Sequence, residues 1–156
     1  MVVIDEKERV PPLDEAALKR LSHALDREGV IAAMLIGSQA RGVPGPLSDV
    51  DIAVWHEPGL DPAGRLRLQL ELARLACGTL RTNEVDVVLL NGAPPLLRHR
   101  AVRDAKLLVE RDPVARVRLN ARALLDYLDT EPLRDEMSRG LRKRIREGRF
   151  GRPQKH

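Results

Sequence analysis

Apolar positions recur along this chain with two alternating periods, and the switches between them outline its elements. Leu13, Ala17, Leu18, Leu21, Ala24 and Leu25 fall at helical spacing, which predicts an amphipathic helix over 13–28 stopped by Gly29. Val30 to Ile36 is a continuous apolar run of strand length, ended by Gly37-Ser38. Gly42, Pro44, Gly45 and Pro46 mark a loop. Asp49 to Trp55 alternates carboxylate and aliphatic residues and reads as a second strand, closed by Pro58-Gly59. Pro62 to Leu80 is a second long helix, with Asp61 as its N-cap and Pro62 in its first turn. Glu84 to Leu90 is a strand ended by Asn91-Gly92. Pro95 to Asp104 reads as a short helix and Lys106 to Glu110 as a short strand. Asp112-Pro113 opens a helix running to Leu128, and Pro132 to Arg146 continues helically.

This order predicts an α/β (α+β) chain with a small sheet. Its 156 residues suit one domain. The simplest division is a body over 1–130 and a helical extension of the same domain over 131–156. Trp55, Tyr127 and Phe150 are the only aromatics, so the core must be aliphatic. Stacking of single-stranded nucleic acid on aromatic platforms is disfavoured for the same reason. A single cysteine, Cys77, excludes an internal disulfide framework and a Cys-based zinc site. No apolar run approaches a membrane span, and the first residues lack a signal-peptide layout, so a soluble cytoplasmic protein is expected.

The net charge of +4 is unevenly placed. From Glu131 onward there are nine basic and four acidic residues, so the body is close to neutral and the excess sits in the tail. Such a tail can bind an acidic partner surface or RNA, or can be a solvated helix end.

The chemistry concentrates between residues 35 and 54. In a strand, residues i and i+2 share a face, so Asp49 and Asp51 project together while Val50, Ile52 and Val54 face the core. Paired carboxylates repel unless cations or hydrogen bonds compensate, and Mg²⁺ is the usual compensation. Asp86 points away from Val85, Val87 and Leu89 in its own strand. A lone Asp there is costly to bury unpaired. If the two strands are neighbours, three carboxylates converge on one face, a set suited to two divalent ions and phosphoryl transfer. Glu84 is a reserve ligand. Gly37 allows close backbone approach to phosphates, Ser38 offers a hydroxyl, and Arg41 can pair with a phosphate or an aspartate. His56 could sit near this site, and Trp55 could line it or pack. His23 and His99 are expected on the surface and Cys77 in the core.

Gly37-Ser38, ten residues, then Asp49-x-Asp51 resembles the nucleotidyltransferase signature of the DNA polymerase beta superfamily. Asp86 stands where that family's third carboxylate would. The size and the Gly-Ser-x-Ala-Arg-Gly version resemble the minimal nucleotidyltransferases, antitoxins of HEPN/MNT toxin–antitoxin systems. The resemblance implies a mixed sheet flanked by helices, a nucleotidyltransferase fold. It implies Mg²⁺ and ATP held between Gly37-Ser38 and the carboxylates, with Asp49, Asp51 and Asp86 as metal ligands and Asp86 also a candidate general base. It further implies a hetero-oligomer with a HEPN ribonuclease toxin, whose tyrosine hydroxyl receives AMP. A non-catalytic antitoxin that blocks the toxin by binding, or a small-molecule nucleotidyltransferase, are the alternatives.

Overall fold

The structure, a computed structural model, describes residues 12–42 and 49–148. The expected loop at 43–48 and the last basic residues, 149–156, lie outside the described residues. Among the described residues, six helices and four strands follow in the order α1 (Glu15–Leu25), β1 (Val30–Ile36), α2 (Gly37–Ala40), β2 (Val50–His56), α3 (Pro62–Leu80), β3 (Val85–Leu89), α4 (Pro95–Arg103), β4 (Lys106–Glu110), α5 (Pro113–Asp129) and α6 (Glu131–Arg146).

Local chemistry explains the boundaries. Three helices open on an aspartate whose carboxylate accepts a hydrogen bond from a first-turn amide: Asp14 from Ala17, Asp61 from Gly64 and Asp112 from Ala115. The first helix ends earlier than its periodicity predicts, because Asp26 leaves the helical region and Gly29 turns at φ +89°. The helix α3 ends at Arg81 in the left-handed conformation, with its N–H bonded to the Cys77 carbonyl.

The strands form one mixed sheet in the order β3-β2-β1-β4. β1 pairs antiparallel with β2 and β4, whereas β2 and β3 run parallel, joined by the α3 crossover. Under one face, Leu21 and Leu25 of α1 and Leu72 and Ala76 of α3 pack on Ala33, Leu35, Val50, Ile52 and Val54. Under the other, Ala101 of α4 and Ala123 of α5 pack on Met34, Ala53 and Trp55. The expected alternation in β2 is thus observed, with Val50, Ile52 and Val54 fully buried. Cys77 is half-buried against the first of these layers. No helix among the described residues is long and apolar enough to cross a membrane.

Candidate active site

The site forms where β1 ends and β2 begins. β1 is apolar until Ile36, which pairs with Asp51 across the antiparallel ladder. The chain then turns through Gly37 at φ +71° into the single turn of α2. The positive φ favours glycine here, and a Cβ at residue 37 would stand 2.6 Å from Asp51 Oδ2, so a side chain at this position would displace that carboxylate. Ser38 follows in the same turn and is half-buried.

The parallel register of β2 and β3 sets Asp51 directly beside Asp86. Directly paired residues on neighbouring strands share a face, so both carboxylates lie on the side opposite α1 and α3. Asp49, immediately before β2, has the same parity. Burial raises the Asp51 pKa above its usual range, and the charges of Asp86 and Asp49 push it up further. The charges of both neighbouring acids are therefore felt at Asp51.

Asp86 departs from the sequence expectation in one respect. It is exposed rather than buried, because β3 is an edge strand and among the described residues no helix covers Asp86 on that face. Arg41 also behaves differently. Its side chain is exposed, and among the described residues it makes no ion pair with Asp49 or Asp51. Its charge is felt instead by Asp104, whose carboxyl is held low by two hydrogen bonds from Arg103, with Arg41 and His99 adding to the effect. Arg41 thus lies within electrostatic range of the end of α4, a relation that the sequence separation of Arg41 and Asp104 conceals.

His56 lies at the opposite end of β2 from Asp51, buried and structural. Its N–H donates to Asn91 Oδ1 and its carbonyl accepts from Asn91 Nδ2, a two-way bridge between the ends of β2 and β3. Trp55 packs rather than lining a pocket: it is buried, and its indole N–H donates to Asn120 Oδ1 of α5 at 2.9 Å. His23 is exposed as expected, but His99 is half-buried against Tyr127. A groove of about 760 Å³ between α1 and β4 contains none of the six candidate residues.

The donors at the site are carboxylate oxygens, the ligand type of a hard divalent cation. The like-charge strain on Asp51 is what such a cation relieves. Among the described residues no three acidic, histidine or cysteine side chains are gathered closely enough to hold a metal ion as they stand. Asp49, Asp51 and Asp86 fit such an ion by type and shared face, with phosphate oxygens and water left to complete the shell.

The family model "Polymerase beta, Nucleotidyltransferase" matches residues 19–114, well over half of the chain and all six candidate residues. The chain belongs to this family. Solved structures share the nucleotidyltransferase fold. One is a toxin–antitoxin with AMP-PNP, with 23% identity over 83% of this chain and 98% of that chain, and a TM-score of 0.63. Another holds a tri-AMPylated Shewanella oneidensis HEPN toxin in complex with MNT antitoxin, with 20% identity over 83% and 98% and a TM-score of 0.64. No curated protein matches the sequence.

Proposed function

We propose that this nucleotidyltransferase is an antitoxin that transfers AMP from ATP to a hydroxyl, on a tyrosine, of a partner HEPN toxin, forming a cytoplasmic hetero-oligomer with it. The observation that carries this reading is the in-register Asp51–Asp86 pair beside the glycine turn at residue 37. The neighbouring structures support the nucleotide and the acceptor, since one contains AMP-PNP and another an AMPylated HEPN toxin.

Asp49, Asp51 and Asp86 hold Mg²⁺, which when bound neutralises phosphate charge. The other roles belong to the chain. Gly37 lets the Asp51 carboxylate lie close against the turn that faces the triphosphate, and the Ser38 hydroxyl donates to a phosphate oxygen. Arg41, exposed on the same turn, supplies a cation for the triphosphate. Asp86 is open to solvent and so accessible to an incoming hydroxyl, whose proton it accepts. The hydroxyl oxygen bonds to the α-phosphorus, the bond from that phosphorus to the bridging oxygen breaks, and pyrophosphate leaves.

Replacing Asp49 and Asp51 together with Asn separates catalyst from scaffold. Purified toxin incubated with Mg²⁺-ATP and the native chain should gain about 329 Da, or a small multiple, by intact-mass spectrometry, consistent with phosphoryl transfer. The double variant should bind the toxin and add nothing. Equal neutralisation by both proteins without any mass gain would place the function in binding alone.

A further inference from the structure

The helices α5 and α6 carry apolar side chains that the fold leaves uncovered. α5 uses Ala115, Leu119 and Ala123 toward the sheet. Its outer side carries a second apolar row: Val114, Val117, Ala121, Leu124 and Leu128, spaced 3, 4, 3 and 4 residues. That is the spacing of a helix–helix seam, and its four large members are 47–61% exposed. A helix apolar on two sides belongs between two layers, and among the described residues only one is present. α6 has no buried residue, and Leu133, Met137, Leu141 and Ile145 form a ridge 45–66% exposed.

We propose that these uncovered rows pack on the same rows of a second copy of the chain, with α6 antiparallel to its mate. Charge order selects this occupant. The first half of α6 holds Glu131, Asp135 and Glu136, with its one cation, Arg134, turned onto Tyr127 of α5, and its second half holds Arg139, Arg142, Lys143, Arg144 and Arg146. None of these five cations is ion-paired among the described residues. A parallel copy sets like charges together, whereas an antiparallel copy lays each acidic half along a basic half. The ridge is also symmetric about residue 139, so Met137 meets Leu141 and Leu133 meets Ile145 across a two-fold axis. In such a pair each flank faces the same flank of its mate, which brings Glu136 to Lys143 twice. Gly140 and Ser138 lie near the middle and add little bulk at the crossing. With Leu125, nine half-exposed apolar side chains offer on the order of 800 Å² per copy, the share of a standard interface. The proposal is independent of AMP transfer and of any toxin.

The test is sedimentation velocity and light scattering of the full chain alone, up to about 100 µM. The native chain should run at twice its 17.4 kDa mass. Met137→Glu with Leu141→Glu should run as a monomer with an unchanged far-ultraviolet helical signature. Glu136→Lys or Lys143→Glu alone should weaken association about tenfold, and combining them should restore it. A native monomer at every concentration overturns the proposal, and so does a dimer indifferent to the ridge variants. If the monomer instead binds phosphatidylserine vesicles or the toxin through the ridge residues, the second copy is the wrong occupant.

Discussion

Asp51 is the residue on which the site turns, and its electrostatics carry a sign that can be measured. Its usual pKa of 3.8 is raised by burial first, then by Asp86 and Asp49. The folded chain therefore keeps this proton to higher pH than the unfolded chain. The ion-free fold loses stability as pH rises from about 4 through the folded-state value, and the full cost applies above it. Asp51→Asn should raise the melting temperature at pH 7 by about 2–4 °C, roughly 1 kcal/mol for a chain of this size. The gain should vanish below about pH 4, where both states hold the proton. Added Mg²⁺ should raise the melting temperature of the native chain more than that of the variant, because the native chain has one more carboxylate to hold the ion and more repulsion for it to relieve. An Asn variant that melts lower at neutral pH contradicts this account.

Between elements, Tyr127 joins three helices. Its ring stacks on His99 of α4 at 3.7 Å between centroids and 10° between planes. On the ring lies the Arg134 guanidinium of α6, 3.5 Å from the centroid. The neighbouring pair Arg98–Asp126, 3.0 Å apart and largely buried, ties α4 to α5 again. Tyr127→Leu keeps the apolar bulk but removes the stack and the cation–π contact, and should cost about 1–2 kcal/mol by urea denaturation. His99→Ala should cost less in that background than in the native chain, because the two residues share one interaction. Equal costs in both backgrounds would mean that the ring contact contributes nothing.

At the scale of the molecule, stability should be graded outward from β1. That strand is hydrogen-bonded on both sides and buried on both faces, so its amides should exchange slowest. An isolated helix as short as α6 is marginal in water, so its protection should rise with protein concentration as copies associate. Concentration-independent exchange in α6 would count against association.

The same gradient separates what the sequence revealed from what it concealed. β1 lies where its apolar run between Gly29 and Gly37 predicts, and α3 lies between Asp61-Pro62 and Arg81 as expected, because local capping and turn chemistry set those limits. The shared face of Asp51 and Asp86 also followed from strand parity, once β2 and β3 proved to be neighbours. The exposure of Asp86 was not legible, since it depends on β3 being an edge, a property of strand order. The His99 stack and the nearness of Arg41 to Asp104 depend likewise on helix placement. The outer seam of α5 was present in the pattern, but periodicity does not tell which apolar row meets the sheet.

The 2.6 Å between a Cβ at residue 37 and the Asp51 oxygen ties the histories of two codons together. The dependence runs one way, from the acid to the glycine. A lineage that acquires a side chain at 37 must move or shorten the acid at 51, and one that loses the acid no longer has that reason to keep glycine. A side chain at 37 should therefore arise only where the acid at 51 has already gone, and a branch that has given up chemistry while keeping the fold can be recognised by change at 51, with or without change at 37.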